Sequence, residues 1–319
     1  MKVVVWMVVF VLMIFSEIAL AAPLLHTHRP ANNSYTTGGT ILISINITDD
    51  NLNTSSAVAR IIELGAYQLG EQWTTHPLSC SGSSPEWNCS TNFVTSTIGS
   101  DTVELFYFQA NDTDGITGYD GTVSSPLRFT IDRAPPLVVF LNPTNGTYVS
   151  GNESLLMNVS DASAGVNGST VQYSTDGSSW TAMVFSSNGF TAGWNTSAFS
   201  NNQTVTLTVR TSDNVGNTVL SNATVMVDNE LPQVNVSNLT GTLIGNAQLQ
   251  ANVSDGYSGV DLSNVKYSVE GLSGTLGCTG TNYSATCSAV LNTAGLLDGN
   301  HTITFNVTDN VFAYVNCNL

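Results

Sequence analysis

Basic side chains are nearly missing from this chain: seven Lys and Arg stand against twenty-three Asp and Glu in 319 residues, for a net charge of −16. With so few cations there is no basic patch to neutralise phosphates, which excludes nucleic acid and anionic membrane surfaces as partners. Charge of either sign is scarce, at 9%. After Phe15 no apolar run reaches the ~20 residues that a membrane-spanning helix needs, so no transmembrane helix is expected in the mature chain. Helical periodicity is absent from the same region. Catalytic signatures are missing as well. No Gly-x-Ser-x-Gly, His-Glu-x-x-His or phosphate-cradling Gly loop occurs, and the four histidines are too scattered for a Ser-His-Asp constellation. The chain is read as a non-enzyme.

The first thing present is an address. Met1-Lys2 precede the apolar run Val3 to Phe15, and Ser16-Glu17 and Ala19-Leu20-Ala21-Ala22 follow. A run of about 13 residues with small residues behind it predicts a signal peptide over 1–21 and a secreted or cell-surface location; an uncleaved membrane anchor is the competing reading. Four of the five cysteines agree with export. Cys80 with Cys89 and Cys278 with Cys287 share one spacing, and each pair would close a short loop, stabilising by about 2–3 kcal/mol. Ser, Gly, Asn and Thr neighbours argue against buried thiols, and the spacing is no Cys-x-x-Cys metal hook. Cys317 is left over, as either a core thiol or a free one.

The chain also carries eighteen Asn-x-Ser/Thr acceptors for glycans, among them Asn46, Asn111, Asn158, Asn195, Asn252, Asn282 and Asn306. Asn46-Ile47-Thr48-Asp49, Asn158-Val159-Ser160-Asp161 and Asn252-Val253-Ser254-Asp255 end a strand in the same way. Asn and Thr are also good turn and exposed-strand residues, so the plainer reading of these positions stays open.

Repetition organises the rest. Asp161 to Asp255, Gly165 to Gly259 and Tyr173 to Tyr267 share one offset of 94 residues, the size of an antiparallel β-sandwich domain. Three units are expected, over 22–134, 135–230 and 231–319. In the second, alternation predicts strands near 137–142, 154–160, 170–175, 180–185, 190–195, 203–211 and 218–227. The inward positions would be Leu155, Met157, Val159, Val171, Tyr173, Val205, Leu207 and Val209. Ile41, Ile43, Ile45 and Ile47 would serve the first unit, and Leu249, Ala251 and Val253 the third.

Tyr173-Ser174-Thr175-Asp176-Gly177-Ser178-Ser179-Trp180, Asp213-Asn214-Val215-Gly216-Asn217 and Val227-Asp228-Asn229-Glu230-Leu231-Pro232 resemble the tandem immunoglobulin-like (Big/fibronectin-III-like) repeats of bacterial and archaeal surface proteins. The third unit resembles them through Tyr267-Ser268-Val269-Glu270-Gly271 and Asp298-Gly299-Asn300-His301. The first is longer and diverges. The resemblance implies an all-β fold of three tandem immunoglobulin-like antiparallel sandwiches. It implies little about activity, because such repeats serve as stalks, adhesin segments and accessory domains of secreted enzymes. The third unit ends without the Gly-Asn turn or the Val-Asp-Asn exit, as a fragment of something longer would.

In that topology the turn after the second strand and the turn before the seventh share one pole with the incoming linker. Asp161 and Asp213 are therefore expected near Asp132, and Asp255 and Asp309 near Asp228. Two chemistries fit such clusters. Ca²⁺ takes about 6–8 oxygen ligands and would neutralise the acids, or each Asp hydrogen-bonds within its own turn. No other cofactor is indicated. His26-Thr27-His28 is a weak transition-metal pair in an N-terminus expected to be flexible, and His76 and His301 look isolated. Trp73, Trp180 and Trp194 are expected in the core or covering edges, since stacking on sugars needs exposed rings.

The resulting expectation is an exported, glycosylated spacer or adhesive protein whose partners are surface proteins or glycans. The alternative is the non-catalytic, carbohydrate-binding region of a larger secreted hydrolase. Intact-mass measurement of the exported protein should find a terminus at Ala22 or Pro23, and a terminus at Met1 would overturn the signal-peptide reading.

Overall fold

The computed structural model describes residues 21–95, 99–236, 242–311 and 314–318. The expected signal peptide lies outside them but for its last residue. The fold is all-β, and the chain divides into two compact units, Met1–Ala134 and Pro135–Leu319.

In the first unit one sheet runs in the order Leu24–Arg29, Thr40–Thr48, Glu86–Val94, Ser79–Ser83. Its partner runs Ser34–Thr36, Leu127–Ile131, Thr102–Asn111, Val58–Glu63, Thr74–Pro77, with Thr117–Asp120 pairing onto Thr102–Asn111. The second unit contains two more sheet pairs. The first joins Leu137–Asn142, Asn152–Ser160, Gly189–Asn195, Val184–Ser186 to Tyr148–Val149, Thr218–Val227, Thr204–Ser212, Gln172–Ser174, Thr181–Ala182. The second joins Gln233–Val236, Asn246–Ser254, Ser284–Asn292, Gly277–Thr281 to Leu272–Thr275, Lys266–Val269, Thr304–Thr308, Tyr314–Asn318. Each pair encloses its own apolar core, so the architecture is one of tandem immunoglobulin-like sandwiches.

Those cores follow from alternation. A strand points successive side chains to opposite faces, so every second residue of an apolar series meets the facing sheet. Ile43, Ile45 and Ile47 are fully buried against Phe106, Phe108 and Phe129 in the first unit. Leu155, Met157, Leu207 and Val209 do the same in the next sandwich, and Leu249, Ala251, Val253, Phe305 and Val307 in the last. Val159, expected among them, is only half-buried because it lies one residue from the end of its strand.

One strand departs from expectation. Residues 180–185 do not form a single strand: Thr181–Ala182 pairs with Gln172–Ser174 in one sheet, while Val184–Ser186 pairs with Gly189–Asn195 in the other. Met183 sits at the crossover, 5% exposed, and its N–H donates to the Val171 carbonyl at 3.0 Å. The same device recurs. Leu78 joins Thr74–Pro77 to Ser79–Ser83 with its N–H on Ala57, and Leu276 joins Leu272–Thr275 to Gly277–Thr281 with its N–H on Val265. A chain that changes sheets must cross the core edge, so the crossing residue has to be apolar and its backbone donor has to find a partner.

Truncating such a residue should leave a cavity at the seam of both sheets. Met183→Ala is expected to cost about 2–5 kcal/mol in urea unfolding, whereas Val184→Ser one residue on, at a side chain 69% exposed, should stay within about 0.5 kcal/mol.

Candidate metal centre

Within the second unit an aspartate opens each of the two turns at one pole of both sandwiches: Asp161 and Asp213 in one, Asp255 and Asp309 in the other. Backbone pairing draws the turns together. Isolated bridges link Val166 with Asp213 and Val260 with Asp309. The Asn214 N–H donates to the Gly165 carbonyl at 2.9 Å, and the Asn310 N–H to that of Gly259 at 2.8 Å. In the first unit Asp49 and Asp112 occupy the same two places, with a bridge from Leu52 to Asp112. That pair was not among the expected clusters, although the repeated Asn-x-Thr/Ser-Asp ending marks Asp49.

Each predicted aspartate accepts hydrogen bonds in its own turn. Asp161 Oδ1 accepts from the N–H groups of Ser163 and Gly165 at 3.1 and 2.7 Å, and Asp255 Oδ1 from those of Tyr257 and Gly259 at 3.0 and 2.8 Å. Gly165 and Gly259 have φ of 79° and 85°, where a side chain is unfavourable, so Asp-x-x-x-Gly is one closed device. Asp213 Oδ1 accepts from Val215, Gly216 and Asn217, and its Oδ2 from the Asn217 amide. Asp132, Asp228 and Asp309 accept through Oδ1 from Ala134, Glu230 and Val311 respectively.

The second oxygen distinguishes the clusters. Asp228 Oδ2 reaches forward to accept from the Ser258 N–H at 2.9 Å, tying the connecting segment to the following sandwich. Asp228, Asp255 and Asp309 are 0%, 5% and 0% exposed, and each offers a carboxylate oxygen within 4.8 Å of the others. Asp255 Oδ2 is buried with no hydrogen-bond partner among the described residues, as is Ser258 Oγ. Three anions withdrawn from water at this separation repel, and hard oxygen donors of this kind suit Ca²⁺. The field is felt nearby: burial first, then Tyr283, Asp228 and Asp255, push the Tyr148 hydroxyl up. Asp161 and Asp213 also bring carboxylate oxygens within 4.8 Å of each other, but both Asp213 oxygens are already bonded. Asp132 closes the first unit, where it is fully buried.

The cysteine pairing is as expected. Cys80–Cys89 and Cys278–Cys287 are disulfides between directly opposed residues of two hairpins. Cys317 is free and packs half-buried against the last core. Of the glycan acceptors, Asn158, Asn195 and Asn252 are exposed, while Asn46, Asn111, Asn282 and Asn306 are half-buried. His26-Thr27-His28 lies in the strand Leu24–Arg29 instead of a flexible end, because that strand pairs with Thr40–Thr48. The two rings do not converge: His26 bonds Thr48, and His28 pairs with Asp120 at 2.7 Å. Trp194 is buried, while Trp73 is half-buried against Tyr67 and Tyr107. No helix among the described residues is long and apolar enough to cross a membrane.

Comparison with known proteins agrees with this fold. Residues 136–209 match a family model described as a bacterial Ig domain, so the first sandwich of the second unit is similar to such domains in sequence as well as architecture. No curated protein matches. A 1.5-MDa bacterial ice-binding adhesin is similar in structure at 14% identity and a TM-score of 0.37, with 93% of this chain and 96% of that one covered. Domains A168–A170 of titin are similar at 10% identity and a TM-score of 0.34, covering 92% and 96%. Against the N-terminal eight Ig domains of Down syndrome cell adhesion molecule the values are 8% and 0.32, and the match covers 93% of this chain but only 41% of that one.

His301 is not isolated as expected. Its Nδ1 lies 2.8 Å from Glu270 Oε1 and its Nε2 lies 2.6 Å from the Leu297 carbonyl, at the rim of a concavity of about 980 Å³ lined also by Ile244 and Leu297. The Glu270 carboxylate beside Nδ1, then the hydrogen bond to Leu297, hold its pKa above the ordinary imidazole value. A raised folded-state pKa means the pair stabilises fully at pH below the unfolded value and loses that contribution as pH rises through the folded one. NMR titration should place the His301 midpoint above ~6.5, and Glu270→Gln should lower it.

Proposed function

We propose that this chain is an exported extracellular or cell-surface protein in which sandwiches over 22–134, 135–230 and 231–319 act in series as a spacer and interaction module, without catalysis. Ca²⁺ seated by Asp228, Asp255 and Asp309 stiffens the joint between the last two. The observation that carries the metal proposal is the buried trio with the unpartnered Asp255 oxygen. An Asp oxygen satisfied only by its turn would need no neighbouring acids, and three acids gathered by two turns and a linker are costly unless a cation joins them. Because those three residues come from the connecting segment and both turns of the last sandwich, an ion there would couple the linker to the sandwich.

The export reading is supported by the N-terminal segment and by both disulfides, which persist in oxidising compartments. Low charge of one predominant sign and exposed sequons at Asn158, Asn195 and Asn252 suit a surface that must stay unpaired.

Thermal unfolding of the mature chain in millimolar Ca²⁺ and in chelator tests the metal. A ligand at a hundred times its dissociation constant adds about 2.7 kcal/mol, so the midpoint should rise visibly with Ca²⁺. Asp255→Asn keeps an acceptor for Tyr257 and Gly259 yet removes the charge, and should abolish the shift while leaving the midpoint in chelator equal or higher. A wild-type midpoint indifferent to Ca²⁺ would return all three aspartates to turn chemistry.

A further inference from the structure

Arg210 is one of only seven Lys and Arg, yet it is exposed and has no carboxylate partner among the described residues of a chain carrying twenty-three acids. It is nonetheless held in place. It lies at the centre of the sheet Gln172–Ser174, Thr204–Ser212, Thr218–Val227, opposite Gln172 on one side and Leu220 on the other. Its Nε donates to Gln172 Oε1 at 2.8 Å, and its guanidinium lies 4.1 Å from the centre of the Trp180 ring. Its two amino groups make no hydrogen bond among the described residues. Stacking and one hydrogen bond fix the plane of the fork, while the edge that binds carboxylates in bidentate fashion stays free.

Trp180 is presented by a rigid turn. Asp176 Oδ1 accepts from the N–H groups of Ser178 and Ser179 at 2.8 and 2.7 Å and from the Ser174 hydroxyl at 2.9 Å. These bonds hold the Asp176 carboxyl well below the usual range, so its charge is committed to the turn. Tyr173-Ser174-Thr175-Asp176-Gly177-Ser178-Ser179-Trp180 thus delivers an aromatic platform beneath the arginine. Around the pair is an open cleft of about 800 Å³ whose walls include Ser169, Thr170, Ser212, Thr218 and Leu220, the last 66% exposed. The Ser169 and Thr170 hydroxyls donate to Asn167 and that of Ser212 to Thr170, which leaves Ser169 and Ser212 their acceptor capacity.

We propose that this cleft is a binding site for an acidic saccharide, in which Arg210 takes the carboxylate of a uronic acid ring while Leu220 packs against its C–H face. The lining favours a sugar over an acidic peptide. Arg210 lies on a central strand whose backbone is already paired on both sides, so the cleft has no open strand edge for a peptide backbone to extend. Apart from Arg210 the lining is uncharged, so it matches a ligand with a single carboxylate among neutral hydroxyl groups, whereas a run of carboxylates would face a net charge of −16 with a single local counter-charge. This site is independent of the carboxylate trio and of any ion bound there.

Calorimetric titration of the mature chain with a galactose oligomer that carries one galacturonate ring, with the neutral galactose oligomer of equal length and with a neutral peptide that carries one glutamate tests the proposal, in Ca²⁺ and in chelator. The acidic saccharide should bind in both buffers, at least tenfold more tightly than either other probe. Arg210→Gln should weaken it tenfold or more, and Arg210→Lys, which keeps the charge but loses the fork, should fall between. Leu220→Glu sets a carboxylate directly across from Arg210 without touching the Trp180 stack, and should abolish binding even if removing the arginine disturbs the fold. No binding of the acidic saccharide, equal binding of the neutral sugar or the peptide, or an unchanged affinity in Leu220→Glu would overturn it.

Discussion

Alternate burial along short strands is the constraint from which the rest of the structure follows. Each sheet has to send one face of its strands into a core only two layers deep, and each core is built from Ile, Val, Leu, Met and Phe spaced two apart. A chain under that constraint keeps the facing positions of its strands apolar. Polar groups with specific work to do are therefore displaced to the poles, where turns begin, or to the outward faces. Leu78, Met183 and Leu276 show how strict the constraint is: where the chain crosses between sheets, the crossing residue still fills the core and its N–H still finds a carbonyl.

The poles illustrate how one residue type meets two demands. Tight turns leave backbone N–H groups pointing inward, and a carboxylate oxygen satisfies two or three at once, as Asp213 does for Val215, Gly216 and Asn217. An aspartate has a second oxygen, and its surroundings decide whether that oxygen is answered. Asn217 answers it at Asp213; nothing among the described residues answers it at Asp255. Asp213 and Asp255 open different turns, and the contrast lies in whether the second oxygen is answered. It separates a self-contained turn from a buried negative group that meets two others, and that contrast underlies the metal proposal.

Much of the fold was legible from residue spacing. Ile43-x-Ile45-x-Ile47, the 94-residue offset and the paired cysteine spacings carry local information that a strand or hairpin has to obey whatever surrounds it. The aspartate meeting was legible only through topology, because residues such as Asp255 and Asp309 are far apart in sequence and converge through the order of strands. Other features were not legible. The break at Met183 looks in sequence like continuous alternation, and the pairing of His301 with Glu270 depends on a strand turn and a loop that share no motif.

What the sequence determined by itself was the all-β class, the repeat and the inward residues, because the two-residue period of a strand is a local property. Tertiary structure alone decided which carboxylate oxygens are left unanswered, which histidines find partners, and that Arg210 lies over Trp180. Those depend on distances between side chains that lie on different strands and turns, set only once the sheets close.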